Sequence, residues 1–391
     1  MRALHVTPYF APAFVYGGPP RSILGLCQGL QRAGVEVDVL TTAANGAEDL
    51  PASLLHTGEY AGVPVTYAPS AFPRRFFGAR LRRLIDERLG PADLCHVHGV
   101  WNVPEWMATR RSRASGVPYV LSPRGMLHSG ALQRGRWRKR VAYPLIERSA
   151  LSGASLLHAT SEEEASVLHA LGLGVPIVML PNAVDTSAIE RASVGGARRQ
   201  LGLGARDRVI AFLGRMHPIK RLDLLAEAFA RVHQRYADAR LVLAGPDEHN
   251  HLATISRRLA PHAGAVRVAG RLDEERKWSL LKDADLLVLC SDSESFGLVV
   301  VEAMAAGLPV VVTRTCPWAD IEIYRCGWWV EQTAAAIADA VLRLIEDPTE
   351  ARAMGARGAR LARERYSWPA VGASMADHYR RLVATGDPGA A

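Results

Sequence analysis

Cysteine is scarce in this sequence, and its few copies are scattered. The five residues form an odd set without any pair at the short spacing that binds metals: Cys27, Cys95, Cys290, Cys316 and Cys326. This distribution argues against a disulfide framework and against a cysteine-based zinc site. We expect reduced, mostly buried thiols.

Long apolar runs and two common nucleotide motifs are also missing. No stretch approaches the roughly 18 consecutive apolar residues of a transmembrane helix, and MRALHVTPYF enters a strand pattern without the apolar core of a secretory leader. We therefore expect a cytoplasmic protein. The first strand is not followed by G-x-G-x-x-G, since Gly202-x-Gly204 lies much later, and no G-x-x-x-x-G-K-[ST] occurs. NAD-dependent enzymes and P-loop ATPases are disfavoured.

Length and charge indicate a large globular protein with anionic partners. The 391 residues exceed the size at which a single core stops growing, about 250 to 300 residues, so two domains are expected. Apolar residues make up 49% and charged residues 22%, as in ordinary soluble proteins. The formal net charge of +8 favours nucleic acid, phosphorylated ligands or an acidic membrane surface, without choosing among them.

Short β-branched runs alternate with helical stretches, which is typical of parallel sheets covered by helices. In the first half the predicted strands are ALHVTP, VEVDVLTT, VPVTYAP, DLCHVHG, PYVLSPRG, SLLHATS and PIVMLP. After Asn182 the pattern restarts with RVIAFLGR, ARLVLAGP, AVRVAGR, ADLLVLCSD and PVVVT. The sequence predicts two Rossmann-like α/β domains, residues 1–182 and 183–365. Residues 366–391 should add an amphipathic helix and a short tail.

Ligands of open α/β sheets bind beyond the carboxyl ends of the strands, so the loops there matter most. The loop after the first strand holds Gly17 and Gly18 just before a helix, where a phosphate or sugar could approach the backbone; a flexible turn is an equal alternative. In the second half, Arg215 ends the strand RVIAFLGR and Lys220 precedes a helix. Two cations suit a diphosphate, although either alone is also typical of a solvated surface.

Two glutamates bracket the apolar stretch CSDSESFGLVVVEAMAAGLP. The strand ADLLVLCSD leads into a turn with Glu294, and then into a helix with Glu302 about two turns inside. The free amides at the start of this helix suit an anion, and they belong to Phe296, Gly297 and Leu298. A diphosphate carrying a hexose and a ribose would place hydroxyls near each carboxylate. Alternatively, Glu294 serves only the helix dipole and Glu302 extends into solvent.

The same residues resemble a known family. ESFGLVVVEAMAAGLPVV is similar to the E-x-F-G-x-x-x-x-E signature of the retaining glycosyltransferases of family 4, whose GT-B fold has two Rossmann-like domains facing each other across a cleft. Gly17-Gly18, GRMHPIKR and LAGP occur in the family's order, so the resemblance spans nearly the whole chain. It implies transfer of a hexosyl unit from a nucleotide diphosphate sugar to an acceptor hydroxyl, with retained anomeric configuration. It also implies that the helix after Tyr366 packs back on the first domain.

The resemblance implies a donor role for each matching residue of the second domain. Arg215 and Lys220 would bind the diphosphate and stabilise the leaving nucleotide. Glu294 would hold sugar hydroxyls, and Glu302 would hold the ribose. Arg271 would lie in the segment that recognises the base, in a donor of the UDP or GDP type.

The resemblance also bears on the first domain's loop and on metals. Gly17 and Gly18 would let their loop close over the donor. No metal or other cofactor is expected if arginine and lysine supply the positive charge. The D-x-D sequence Asp283-Ala284-Asp285 starts a strand, where a solvated turn is the better interpretation.

One segment departs from the family pattern. Many relatives end a strand of the first domain with a histidine near the acceptor, whereas PYVLSPRGMLHSGAL has Arg124 there and His128 four residues later. A branch of the family resembles this S-P-R-G-M sequence, which implies that Arg124 contacts a donor or acceptor phosphate. His96 and His98 resemble the family's H-x-H, and for either one a structural or acceptor-positioning role is favoured over metal binding, since no third ligand is evident.

Two basic stretches of the first domain bear on the acceptor. AFPRRFFGARLRRLIDERL and QRGRWRKRVAYPLIERSAL suit the anionic inner face of the cell membrane or a lipid-diphosphate acceptor, and equally a solvated helix face. No recognition motif supports nucleic acid. The resemblance implies a glycan or lipid-linked acceptor in cell-surface polysaccharide synthesis. A nucleotide-sugar epimerase of the same architecture and a non-catalytic nucleotide or polyanion binder remain alternatives.

Overall fold

The computed structural model describes residues 1–55, 58–69, 80–127, 147–248, 250–294 and 296–385. The contacts divide the chain into two compact units. The first unit holds residues 1–183 and the segment from Trp368 onwards, and the second holds residues 184–367. Each unit is built on its own parallel sheet.

The first unit contains an eight-stranded sheet. Its strands, together with a small separate pair, are β1 (Arg2–Val6), β2 (Glu36–Thr42), β3 (Ala44–Asn45), β4 (Glu48–Asp49), β5 (Glu59–Tyr60), β6 (Val63–Ala68), β7 (Leu94–His98), β8 (Tyr119–Ser122), β9 (Leu156–Ala159) and β10 (Ile177–Met179). The sheet order is β10-β9-β8-β7-β1-β2-β6-β5, and only β5 pairs antiparallel. β3 and β4 form the separate antiparallel pair. All seven strands predicted for this half are present.

Helices connect these strands. The described helices of this part are α1 (Pro19–Arg32), α2 (Ala52–Leu55), α3 (Leu81–Leu89), α4 (Val103–Ser115), α5 (Arg148–Ser152) and α6 (Glu162–Ala170). In α1, Pro19 and Pro20 occupy the first turn, where a missing N–H costs nothing, and Gly34 follows the helix at φ +80°. One face of α1 is buried through Ile23, Leu26, Cys27 and Leu30. The sequence pattern therefore sets both the ends and the buried face of this helix.

The second unit repeats this construction with six parallel strands. They are β11 (Arg208–Leu213), β12 (Ala239–Ala244), β13 (Val266–Gly270), β14 (Leu286–Leu289), β15 (Val310–Thr313) and β16 (Gly327–Val330), in the order β13-β12-β11-β14-β15-β16. The helices are α7 (Thr186–Arg191), α8 (Gly196–Gln200), α9 (Leu222–Arg235), α10 (His251–Leu259), α11 (Glu274–Asp283), α12 (Leu298–Ala305), α13 (Asp320–Ile323), α14 (Ala334–Glu346) and α15 (Pro348–Arg365). Two parallel-sheet α/β units confirm the predicted fold class.

The last described helix belongs to the first unit. α16 (Trp368–Thr385) packs on α1, and glycines bring the two backbones together. A Cβ on Gly29 would lie 2.2 Å from the carbonyl oxygen of Trp368, and one on Gly372 would lie 2.2 Å from the carbonyl carbon of Gly29. The side chains that α16 buries completely are Met375, Ala376 and Tyr379. Both glycines are therefore required by the contact between the helices.

Candidate functional site

Three loops at the carboxyl edge of the second sheet are held together by glycine. Gly214 follows β11, Gly245 follows β12, and Gly270 ends β13. The Gly245 N–H donates to the Gly270 carbonyl at 2.7 Å. Gly245 has φ +137°, and a Cβ there would lie 1.9 Å from the Gly214 carbonyl oxygen. Any other residue would push these loops apart, so Gly245 fixes the starts of the loops that carry Arg215 and Arg271.

Arg215 leaves this edge directly after β11 and has a carboxylate partner. Its Nη1 donates to both carboxylate oxygens of Glu248, at 2.9 and 3.2 Å. The Arg215 side chain is 59% exposed, and such an exposed pair is weakly held. Phosphate oxygens can therefore compete for the guanidinium. Glu248 was not predicted, because it lies 33 residues away in an irregular loop.

Lys220 and Glu294 are in direct contact at the same edge, where β11 and β14 are neighbours. Lys220 ends the 3₁₀ turn Pro218–Lys220, and its Nζ donates to Oε1 of Glu294. The Ser291 hydroxyl donates to the same oxygen at 2.8 Å. The side chains of Lys220 and Glu294 are only 14% and 13% exposed. The residue predicted to bind phosphate and the residue predicted to bind the sugar thus form an ion pair with each other.

An aromatic contact fixes the start of α12. Gly297 precedes the helix at φ +77°, and a Cβ there would lie 3.2 Å from Trp318 Nε1. That nitrogen donates to the Phe296 carbonyl at 2.6 Å, and the two aromatic rings pack together. The helix begins at Leu298. First-turn amides have no carbonyl partner within their own helix, so anion binding here stays a prediction with a suitable geometry.

Glu302 does not extend into solvent. It lies in the second turn of α12, 16% exposed, and accepts a hydrogen bond from Lys277 Nζ at 2.7 Å. Lys277 lies in the first turn of α11 and also contacts Glu274 Oε2 at 2.9 Å. A partly buried carboxylate thus has the partner that its burial requires. Lys277 was missed, because no pattern within α11 or α12 links the two positions.

The base-side candidate is less defined. Arg271 is exposed in the turn between β13 and α11. Asp273 begins α11 by accepting the Arg276 N–H at 2.8 Å. Arg271 therefore follows the carboxyl end of a strand, as Arg215 and Glu294 do, and its role in recognising a base stays a prediction.

The D-x-D aspartates bind backbone at the opposite end of the sheet. Asp283 accepts the N–H groups of Gly195 at 2.5 Å and Arg198 at 3.0 Å. Asp285 accepts the Val209 N–H at 2.7 Å. Both carboxylates lie at the amino end of β14, where they hold α8 and β11 in place. They are structural residues away from the candidate site.

A chain of buried hydrogen bonds runs through the first unit. His158 Nε2 donates to the Leu180 carbonyl at 2.9 Å, so its Nδ1 accepts, and the Ser122 hydroxyl donates to it at 2.7 Å. Ser122 then accepts from His96 Nε2 at 2.7 Å. His96 Nδ1 in turn accepts from the Tyr379 hydroxyl. One residue of α16 is thereby tied to strands β7, β8 and β9.

Arg124 joins a second set of buried polar groups. It lies at φ +57° after β8, where its Nη2 donates to His98 Nδ1 at 3.2 Å and its Nη1 donates to Asn182 Oδ1 at 3.1 Å. His98 Nε2 therefore donates to His5 Nδ1, at 2.9 Å. Burial lowers the pKa of Arg124 to about 10. Among the described residues, Arg124 Nε and His5 Nε2 are buried without a hydrogen-bond partner.

Three histidines of this region come close enough to consider a metal. His5, His96 and His98 place ligand nitrogens within 4.8 Å of one another. His5 was missed, because only the pairing of β1 with β7 brings it opposite His96. The Arg124 guanidinium donates into this cluster and would repel a cation. With most of the ring nitrogens already hydrogen-bonded, the cluster fits a neutral network better than a metal site.

The remaining first-unit candidates differ in how well they are placed. Gly17 has φ +86°, which favours glycine, and the described residues leave open space where a Cβ on Gly17 or Gly18 would stand. Closure of their loop over a donor stays a prediction. His98 and Arg124 contact each other, so two acceptor-side candidates lie together. His128 lies outside the described residues.

The buried carboxyl group of Glu105 should make stability fall as the pH rises to about 8. Glu105 is 2% exposed, and burial raises its pKa from 4.5 to about 8. Because the pKa of Glu105 is raised in the folded state, the protonated group stabilises the fold fully below the unfolded pKa of about 4.5. This contribution to the free energy of unfolding is lost as the pH rises to about 8. Glu105→Gln imitates the protonated acid. We expect it to flatten the loss of unfolding free energy between about pH 6 and pH 9, by about 2 kcal/mol.

Denaturant unfolding at several pH values measures this effect. His158 should change the stability in the opposite direction with pH, because burial lowers its pKa to about 3. Its contribution is present above about pH 6.5 and is lost as the pH falls below that value. Parallel curves for wild type and Glu105→Gln above pH 6 would contradict the assignment.

Comparison with known proteins agrees with the sequence signature. Residues 17–183 match the family model of a glycosyl transferase 4-like domain, and residues 196–361 match that of glycosyl transferases group 1. The D-inositol 3-phosphate glycosyltransferase 2 of Catenulispora acidiphila is 30% identical, with 97% of this chain and 94% of that protein covered. The chain belongs to glycosyltransferase family 4. This glycosyltransferase is therefore a retaining enzyme that uses a nucleotide sugar.

Two further likenesses are to a relative in sequence and to a solved structure. The phosphatidyl-myo-inositol mannosyltransferase of Mycobacterium tuberculosis strain H37Rv is 29% identical, with 99% of this chain and 98% of that protein covered. The crystal structure of Anabaena Alr3699/HepE in complex with UDP and glucose has a TM-score of 0.72 at 19% identity, covering 98% of this chain and 100% of that one. The predicted family and GT-B fold are confirmed.

Proposed function

We propose that this glycosyltransferase transfers a hexosyl unit from a UDP- or GDP-type sugar to a hydroxyl of a lipid-linked or polysaccharide acceptor. The observation that carries the proposal is the set of charged side chains at the carboxyl edge of the second sheet. The Lys220–Glu294 pair joins a cation for phosphate to a carboxylate for sugar hydroxyls. Glu302, further along α12, supplies a carboxylate for the ribose.

The cations serve departure of the nucleoside diphosphate. As the glycosidic bond breaks, negative charge grows on the phosphates, and Lys220 and Arg215 stabilise that charge. Without donor, each is paired with a carboxylate, Glu294 and Glu248 respectively. The diphosphate takes over these cations, and Glu294 is released to accept hydrogen bonds from the sugar. These two side chains supply the charge that a metal would otherwise supply, so we propose metal-independent transfer.

The first unit supplies the acceptor side of the proposal. His98 and Arg124 form a polar contact at the carboxyl ends of adjacent strands, suited to an acceptor with hydroxyl and anionic groups. The name of the mycobacterial relative, a phosphatidyl-myo-inositol mannosyltransferase, supports a lipid-linked acceptor.

On α4, Trp106 is 39% exposed and the Arg110 guanidinium lies 5.7 Å from its ring. None of the described helices could span a bilayer, and we propose peripheral contact with an anionic membrane face.

The two alternatives predict different requirements for turnover. An epimerase would convert a nucleotide sugar without any acceptor, and a non-catalytic binder would hold a nucleotide without turnover. Membership of a glycosyltransferase family supports transfer over both. Product analysis with and without acceptor separates the three.

Calorimetric titration with UDP, GDP, ADP and their common sugar conjugates tests the proposed roles of the two glutamates. We expect Glu302→Gln to weaken nucleoside diphosphate binding about tenfold, because a charged hydrogen-bond acceptor for the ribose is lost. Glu294→Gln should preserve or strengthen that binding, because it frees Lys220, while sugar transfer falls. Equal and negligible effects of both changes would remove the proposed roles.

A further inference from the structure

We infer that Lys277 is a positioning residue for nucleotide recognition, which holds the Glu302 carboxylate in place for the ribose hydroxyls. The inference rests on the proposed function. Its basis is the contact between α11 and α12, where Lys277 Nζ lies 2.7 Å from Glu302 Oε1. The two side chains are only 15% and 16% exposed, so solvent weakens the pair less than it weakens a surface ion pair.

The position of Lys277 is constrained from several sides. Its ammonium lies 2.9 Å from Glu274 Oε2 as well as beside Glu302, and 4.4 Å from the centroid of the Trp278 ring. Trp278 is itself 3% exposed and fixed in the core. Three contacts thus hold one ammonium group at a single point. The Glu302 carboxylate, hydrogen-bonded to this ammonium, is therefore already restricted in rotation before a ligand binds. The entropy cost of ordering it on binding is correspondingly smaller.

The charge of Lys277 also matters for a ligand that is an anion. Glu302 and Glu274 place two negative charges near Lys277, and a nucleoside diphosphate brings more. Without the ammonium, bringing the ribose to Glu302 would also bring like charges together. Lys277 offsets this repulsion. A carboxylate has about four acceptor positions, so Glu302 can accept from Lys277 and from ribose hydroxyls at the same time.

The role predicts selectivity for the sugar of the nucleotide. Binding is measured for UDP and 2′-deoxy-UDP, and for GDP and 2′-deoxy-GDP, on the wild type and its variants. We expect Lys277→Met to weaken ribonucleotide binding about tenfold and to reduce the preference for ribose over deoxyribose. Lys277→Arg should retain most of that preference. Lys277→Met combined with Glu302→Gln should be no weaker than Glu302→Gln alone, because both changes remove the same interaction.

Two comparisons separate this role from a structural one. Lys282→Met, on the same helix, removes a Nζ that donates to the Ala192 carbonyl at 2.8 Å, and should leave the ribose preference unchanged. If Lys277→Met lowers thermal stability but keeps the wild-type ratio of ribose to deoxyribose affinity, the inference is overturned while the proposed function stands. If the wild type binds no nucleoside diphosphate, both are overturned.

Discussion

Replacing Lys220 with alanine is expected to lower kcat by about 100- to 1,000-fold, as loss of one preorganised group that stabilises developing charge commonly does. The ammonium is largely buried and bonded to Glu294, so its charge is little screened by solvent. Arg215 is much more exposed, and Arg215→Ala should have the smaller effect. Turnover of a nucleotide sugar, measured at saturating donor, reports the loss.

Stability must be separated from catalysis in this experiment, because Lys220→Ala leaves the Glu294 carboxylate without its cation. The double variant Lys220→Ala with Glu294→Ala removes both charges and should recover stability without recovering activity. Lys282→Ala is the control: it also removes a lysine of the second unit, but one near the end of α11 whose Nζ donates to the Ala192 carbonyl. Normal turnover of folded Lys220→Ala protein would end the leaving-group assignment.

The second large effect is expected from Gly372→Ala. A helix interior ordinarily gains roughly 1 kcal/mol when glycine becomes alanine. Here the new Cβ would lie 2.2 Å from backbone of Gly29, and backbone cannot rotate away as a side chain can. We expect the free energy of unfolding of the first unit to fall by about 3 kcal/mol, since α16 must move off α1.

Calorimetric unfolding measures this change, provided that the transition of the first unit is resolved. Gly90→Ala is the matched control, because Gly90 also belongs to the first unit, has helical backbone angles, and a Cβ there would lie at an ordinary 3.7 Å from the carbonyl oxygen of Asp86. That change should be neutral or slightly stabilising. An unfolding temperature of Gly372→Ala equal to that of the control would show that the helices need not approach so closely.

The parts that could be predicted from sequence are those with a local signal. The strands rich in β-branched residues were recognisable, whereas β16, whose sequence GWWV has a single β-branched residue, was missed. The turn from Glu294 to Leu298 and the Arg215–Lys220 loop follow from short motifs. Their placement after parallel strands is a general property of the fold.

The partners of these residues could not be predicted. Glu248 pairs with Arg215, Lys277 with Glu302, and Tyr379 with His96, 283 residues away in the chain. Such contacts depend on how helices and strands of distant sequence pack, and no periodicity records them. The sequence thus indicated candidate residues for ligand binding, but not the side chains that pair with them in the structure.

The position of α16 has a consequence for synthesis on the ribosome. A growing chain completes the residues of the first sheet early, and domains generally fold in the order in which they emerge. The face of α1 around Gly25 and Gly29, however, is covered by α16, whose residues are translated after those of the second unit. The first unit must therefore wait, with that apolar face uncovered, while the whole second unit is made.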